Sequence, residues 1–329
     1  MDSTISPAKP ASSRAKLGGP EISIVIPVYN EAANLPLLFE RLTRVVDGLG
    51  RPTEVLFTDD GSKDNSLALL KGFVERRPDI IKVIEFDRNY GQHMAVMAGF
   101  ETAQGDIIVT LDADLQNPPE EIPKLIAEMD KGHDVVGSYR HQRQDSWLRR
   151  WPSLILNRIR EKITRIEMRD QGCMLRAYRH DIVRMIVESN ESSTFIPALA
   201  HYYSTNPTEV EVAHAARHAG SSNYNLYQLI RLNFDLMTGF SLVPLQVFTI
   251  FGMGVSGLSL LLVCYLFLRR IFLGPEAQGI FTLFAIVFLL LGVVITGLGI
   301  VGEYIGRIYI QVRQRGRFRI RAVHQKTGN

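Results

Sequence analysis

Asp106-Ile107-Ile108-Val109-Thr110-Leu111-Asp112-Ala113-Asp114 is a short apolar run, rich in β-branched residues, that ends in two carboxylates one residue apart. It predicts a buried strand, because branched side chains fill a pleated surface and so short a run is bounded by polar residues. The continuation, Leu115-Gln116-Asn117-Pro118-Pro119-Glu120, stiffens the loop with two prolines and leads into a helical pattern over Pro119 to Lys131. The same unit recurs upstream. Ile22 to Tyr29, Glu54 to Thr58 and Ile81 to Phe86 read as strands, and Leu35 to Leu49, Ser66 to Arg76 and Gly91 to Thr102 as the amphipathic helices between them. Such alternation implies an α/β domain with a mostly parallel, helix-covered sheet. In sheets of that kind ligands bind beyond the carboxyl ends of the strands.

Polar motifs gather at those ends. Pro27-Val28-Tyr29-Asn30-Glu31 follows the first strand, Asp59-Asp60-Gly61-Ser62 the second, Asn89-Tyr90-Gly91-Gln92-His93 the third and Asp112-Ala113-Asp114 the fourth. Four in succession argue for the rim of an active site. Two carboxylates side by side are costly unless a divalent cation binds both. Hard oxygen donors suit Mg²⁺ or Mn²⁺, and Mg²⁺ commonly joins one or two carboxylates to substrate phosphates. Asp112 and Asp114, with Gln116 as a further oxygen donor, are the candidate ligands. Asp59 and Asp60 end the second strand, where an acidic residue often meets the sugar or base of a nucleotide. The first strand is not followed by G-x-G-x-x-G, and no G-x-x-x-x-G-K-[ST] loop is present, which disfavours a dehydrogenase and an NTPase. Phosphates must then be held by metal and basic side chains.

Arg140 to Arg169 supplies the bases, with nine Lys or Arg against three acidic residues. Arg grips phosphate oxygens bidentately. Trp147, Leu148 and Trp151 interleave with Arg143, Arg149 and Arg150, giving a surface both basic and apolar that suits a lipid phosphate.

The 46% hydrophobic content is unevenly spread, for Leu242 to Leu268 and Ala277 to Gly302 carry no charged residue. About 20 apolar residues span a bilayer core, so each stretch predicts a transmembrane helix. Arg307, Arg313, Arg315, Arg317, Arg319 and Arg321 follow the second stretch and mark a cytoplasmic flank, although Arg269 and Arg270 lie in the connector. A hairpin then places the N-terminal domain on that side too. Tyr224 to Phe240 predicts an amphipathic helix at the membrane surface. The parts are a flexible arm (1–20), a catalytic domain (21–223), an interfacial helix (224–241), two transmembrane helices (242–302) and a basic cytoplasmic tail (303–329). A net charge of +3 is too small to argue for nucleic acid. Cys173 and Cys264 suggest neither a disulfide framework nor a metal site.

The motifs after the first, second and fourth strands resemble those of family 2 glycosyltransferases, which implies a GT-A fold, a Rossmann-like mostly parallel sheet. Arg88 to His93, Arg143 to Trp147, Gly172 to Tyr178, Ser193 to Pro197 and Gly302 to Arg307 make the chain similar, within that family, to the polyprenyl-phosphate glycosyltransferases. The resemblance implies inverting transfer of a sugar from a UDP-sugar to undecaprenyl phosphate at a bacterial inner membrane, by a multi-pass homo-oligomer whose catalytic domain is cytoplasmic. The sugar it points to is 4-deoxy-4-formamido-L-arabinose, for lipid A modification and polymyxin resistance. Glucosyl or mannosyl transfer to undecaprenyl or dolichyl phosphate is the alternative. A processive polysaccharide synthase is a further reading, but its Gln-x-x-Arg-Trp motif has Trp147 in place of Gln here.

Carried onto this chain, the resemblance gives Pro27, Tyr29, Glu31 and Asp60 to the uridine, with Asp112 at the ribose-diphosphate. Asp112, Asp114 and Gln116 would ligate the cation. Arg140, Arg143 and Arg149 would meet the acceptor phosphate, as would Arg217 and Ser222 of a stretch in which Asn223 stands where the family has lysine. Asp114, Arg140 and Asp170 are the implied catalytic residues, Asp170 as a base or a positioning group. A phosphate monoester is mostly ionised at neutral pH, its second pKa being about 6, so a base is not strictly needed. Cys173 reads as packing.

Overall fold

The computed structural model describes residues 19–140, 170, 172–189, 195–213, 243–273, 280–312 and 317–326. The chain divides into two units, residues 1–144, 168–222 and 316–329 forming the first and 145–167 and 223–315 the second. The N-terminal arm and the segment from Tyr224 to Phe240 lie outside the described residues.

The first unit is built on an eight-stranded sheet. In chain order its strands are β1 (Ile22–Val28), β2 (Thr53–Asp59), β3 (Ile81–Phe86), β4 (Ile107–Thr110), β5 (Val135–Arg140), β6 (Arg176–Arg179), β7 (Pro207–Val212) and β8 (Ile320–His324). They lie in the order β7-β5-β6-β4-β1-β2-β3-β8. β4, β1, β2 and β3 pair in parallel, as do β5 and β7, while β6 and β8 run against their neighbours. The mostly parallel sheet is therefore present.

Helices α1 (Leu35–Leu49), α2 (Ser66–Arg76) and α3 (Gln92–Thr102) link the first four strands, as expected. Gly91, with φ 97°, precedes α3 instead of opening it. Pro119–Glu121 is a 3₁₀ turn, followed by α4 (Ile122–Met129). Pro119 opens the 3₁₀ turn and Pro123 lies in the first turn of α4, positions where a missing amide hydrogen costs nothing. Further along come α5 (His180–Glu188) and α6 (Ile196–Tyr203).

β1 and β2 are buried along their whole length, as strands covered on both faces must be. On one face Ile22, Ile24, Ile26, Val55 and Phe57 meet Leu38 and Leu42 of α1, Phe73 of α2 and Leu125 of α4. On the other, Ile84 and Phe86 meet Ala95 and Ala98 of α3. Removing such area from water stabilises by about 25 cal/mol per Å². At the amino ends of the strands Ser23 Oγ donates to Glu54 Oε1 (2.6 Å) and Lys82 Nζ to Glu54 Oε2 (2.8 Å), so a buried acid is paired there.

Ile320–His324, which composition alone assigns to a basic tail, instead forms edge strand β8 against β3.

In the second unit α7 (Val243–Leu273) and α8 (Ile280–Val312) are long and apolar. The Phe248 ring lies on Gly297, where a Cβ would come within 2.4 Å of it. Among the described residues one stretch, Leu289–Gly306 of α8, is long and apolar enough to cross a membrane; in α7 the apolar stretch, Leu245–Val255, is shorter. Residues 303–312 continue α8, so the tail begins later than charge alone indicates.

Candidate active site

Strand direction decides which motifs meet. Register pairs Val28 with Asp59 and Val25 with Thr110, so the segments after β1, β2 and β4 leave the sheet on one side. β6 runs against β4 with Arg176 opposite Thr110, which brings Asp170 and residues 172–175 to the same end. β5 is antiparallel to β6 as well, so its last residue, Arg140, is also delivered there.

The first two loops are laced together. Asn30 N donates to Ser62 Oγ (3.0 Å), Lys63 N to Asn30 Oδ1 (2.7 Å) and Glu31 N to Ser66 Oγ (2.9 Å). Asn34 Nδ2 donates to Glu31 Oε2 at 2.6 Å, fixing that carboxylate beside the rim. Tyr29 is 40% exposed and presents its ring to solvent, whereas Pro27 is buried within β1. Pro27 thus shapes the strand end instead of offering a surface.

Asp60 takes a part that the sequence does not disclose. Its Oδ1 accepts from Tyr90 N (2.7 Å) and its Oδ2 from Gly91 N (2.9 Å), and the side chain is buried. It ties the β3–α3 turn to the end of β2. Burial pushes its carboxyl above the usual range, although the two amides oppose that shift. Asp59 is buried too: Ser62 N donates to Oδ2 (3.3 Å), Oδ1 has no hydrogen-bond partner, and burial again raises the carboxyl.

After β4 burial alternates. Leu111, Ala113, Leu115 and Asn117 are buried, while Asp112, Asp114 and Gln116 are half-buried between them. The three oxygen-bearing side chains thereby fall on the open side of the loop. Gln92 Nε2, at the start of α3, donates to Asp112 Oδ1 at 2.6 Å, and Asp114 Oδ1 accepts from Gln116 N at 3.1 Å. Among the described residues no group of three or more His, Cys, Asp or Glu is placed to hold a metal. Two carboxylates and an amide oxygen fit a cation that completes its shell with substrate oxygens.

Behind this loop lies a buried polar layer. Cys173 Sγ donates to Asn117 Oδ1 (3.3 Å) and lies 2.8 Å from Ser138 Oγ, and Thr110 Oγ1 donates to Met174 O (2.6 Å). Burial pushes the Cys173 thiol up, so it stays protonated and packs, in keeping with its expected role. Arg176 donates through Nη2 to Asp170 O (2.6 Å) and through Nε to Cys173 O (2.9 Å). Asp170 is buried, and its Oδ1 accepts from Gly172 N at 3.0 Å.

Of the expected acceptor residues, Arg140 is described only in its backbone, at the end of β5. Arg143, Arg149, Arg217 and Ser222 lie outside the described residues, as do Trp147 and Trp151. Sequence reading gave no role to Gln92 or Arg176. Gln92's place in the polar motif that follows β3, directly after Gly91, was the available signal; for Arg176 there was none.

The family model of glycosyl transferase family 2 matches residues 23–187, which takes in the carboxyl ends of β1 to β5 and the whole of β6. The chain belongs to family 2. As a family 2 glycosyltransferase it is 46% identical over 304 residues to an undecaprenyl-phosphate 4-deoxy-4-formamido-L-arabinose transferase of Shewanella sediminis, with 92% of each chain covered. A protein of the same name from Pseudomonas aeruginosa is 46% identical over 308 residues, covering 93% of this chain and 91% of its own. Among solved structures, glucosyl-3-phosphoglycerate synthase of Mycobacterium tuberculosis aligns with 18% identity and a TM-score of 0.45, over 68% of this chain and 79% of its own.

Proposed function

We propose that this family 2 glycosyltransferase moves 4-deoxy-4-formamido-L-arabinose from a UDP-sugar to undecaprenyl phosphate, with inversion at the anomeric carbon. The observation that carries the reading is the alternation of Asp112, Asp114 and Gln116 on the open side of the loop after β4, in a chain so similar to transferases of that name. A phosphate oxygen of the acceptor forms the new bond to the anomeric carbon while the bond to the UDP oxygen breaks. Asp112, Asp114 and Gln116 would hold a Mg²⁺ or Mn²⁺, which when bound would supply charge neutralisation at the diphosphate. Tyr29 and Glu31 line the uridine side, and Asp60 supports it from below through the amides of residues 90 and 91. The nucleophile is already ionised near neutral pH. Asp170 is therefore a positioning group, held by Arg176 through its carbonyl.

The membrane part of the proposal is a two-span hairpin of α7 and α8. Its support is the exposure of large apolar side chains on both helices, among them Ile250, Met253 and Phe272 on α7 and Leu289, Ile295 and Val312 on α8. Exposed apolar surface of this extent supports contact with lipid. The test is mass spectrometry of the glycolipid formed from a panel of UDP-sugars and undecaprenyl phosphate. A formamidopentose on the lipid is the expected product; a hexose alone would refute the assigned sugar, and no glycolipid at all the assigned reaction.

A further inference from the structure

The carboxyl-terminal strand reaches the donor side of the site through aromatic contacts. β8 pairs with β3 antiparallel, His324 opposite Val83, Val323 opposite Ile84 and Ala322 opposite Glu85, with a bulge before Ile320 meets Phe86. Just ahead of the strand, the Phe318 ring stacks on Phe86 with centroids 5.1 Å apart and planes 19° from parallel. Phe86 meets Tyr90 edge-on at 5.5 Å. Tyr90 is also capped by the Arg88 guanidinium at 4.9 Å, and its hydroxyl donates to Asp87 Oδ1 at 2.8 Å. That is the residue whose amide donates to Asp60, and two positions on Gln92 donates to Asp112.

A second interaction binds the strand to the same edge. Glu85 is buried, and its carboxylate faces Lys71 Nζ at 3.2 Å, Arg321 Nη1 at 3.4 Å and His324 Nε2 at 2.8 Å. Two of those three basic groups come from β8. Without them a buried acid keeps one partner and β3 becomes an open edge, and each of these is costly.

We propose that β8 is a positioning element for the donor site, and that Phe318 is the residue through which its docking holds Tyr90 and Gly91 against Asp60. Phe318 touches neither substrate nor cation; it acts through Phe86 and Tyr90. The donor-site assignment rests on the function proposed above, so the test includes a reading that needs no turnover.

In the full-length protein in detergent, Phe318→Ala and the milder Phe318→Leu are compared with the parent for amide exchange at Tyr90 and Gly91. KM is measured for UDP-sugar and for undecaprenyl phosphate separately. Losing one aromatic pair predicts exchange at both amides about fivefold faster and a donor KM raised about as much. The acceptor KM and kcat stay near parental, and Phe318→Tyr restores both readings. Parental exchange at Tyr90 and Gly91 in a folded Phe318→Leu protein overturns the proposal, as does a parental donor KM. If the parent transfers no sugar, the proposed function fails while the exchange measurement still decides the role of β8.

Discussion

Gln92 Nε2 lies 2.6 Å from Asp112 Oδ1, so the first residue of α3 orients the first carboxylate of the loop after β4. Groups behind a metal ligand tune affinity, and their loss typically costs about 10–100-fold. Gln92→Ala is expected to raise the Mn²⁺ concentration for half-maximal transfer by about tenfold while leaving the protein folded. Asp114→Ala removes a proposed ligand and should abolish transfer, as EDTA should in the parent. A metal titration of all three checks this, and parental turnover by Asp114→Ala without added metal would refute the cation.

Gly61 sits between Asp60 and Ser62 with φ 68°, and a Cβ there would lie 2.5 Å from the Arg88 carbonyl carbon. The left-handed conformation alone costs a side-chain-bearing residue about 1–3 kcal/mol. The clash with backbone adds to it, because Arg88 cannot rotate away. Gly61→Ala should lower Tm and raise the KM for UDP-sugar, since the displaced backbone leads into Tyr90. Gly72, inside α2 with nothing within 4 Å of a built Cβ, is the control. Gly72→Ala should leave donor KM unchanged and stabilise by about 0.5–1 kcal/mol. Equal behaviour of the two variants would dismiss the steric account.

Asp59 carries a buried, partnerless Oδ1 and a carboxyl pushed up by burial. A carboxyl raised in the native state contributes stability that is complete below the ordinary value and is lost as pH rises through the raised one. Asp59→Asn keeps the shape, and its oxygen can still accept from Ser62 N. Its Tm should exceed the parental one at pH 8 and approach it as pH falls below about 4. A Tm difference that is constant across that range would show that ionisation of Asp59 is not the cause.

Arg140 ends β5 on the side where Asp112, Asp114 and Asp170 are gathered. Hydrogen bonds to a charged group are worth about 1.5–3 kcal/mol, or about 10–100-fold in affinity. Arg140→Ala should raise the KM for undecaprenyl phosphate by that order with a smaller effect on the UDP-sugar. The pattern of KM against kcat separates binding shared by ground and transition states from binding confined to the latter. An effect limited to the UDP-sugar would move Arg140 to the donor side.

The proposed hairpin returns the chain to the side on which it began, and by the positive-inside rule the arginines after α8 would make that side cytoplasmic. A reporter fused after Asn329 should be cytoplasmic, and a cysteine at Gly274 should react with an impermeant reagent added from outside. β8 gives the first outcome a second reason, for Ile320–His324 pairs with the sheet that carries the site. An outside reporter with an inside connector would overturn the orientation.

The sequence by itself determined what depends on local period and on chemistry within a few residues. Leu35–Leu49 and Ser66–Arg76 were readable to the residue, because apolar positions at helical spacing bury one face of each helix. Asp112 and Asp114 were readable as a pair at the end of a buried strand, because a short β-branched run that stops at polar residues marks one. Only the tertiary structure separated Asp59 from Asp60, two adjacent carboxylates with like sequence surroundings. One faces the amides of Tyr90 and Gly91, and the other is left with an oxygen that nothing meets. Only the tertiary structure, too, turned the end of a run of alternating arginines, Arg321 and its neighbours, into β8. An edge strand takes its hydrogen bonds and its charge partners from a strand far away in the chain, here β3 and its Glu85, and no local pattern records which edge will accept it.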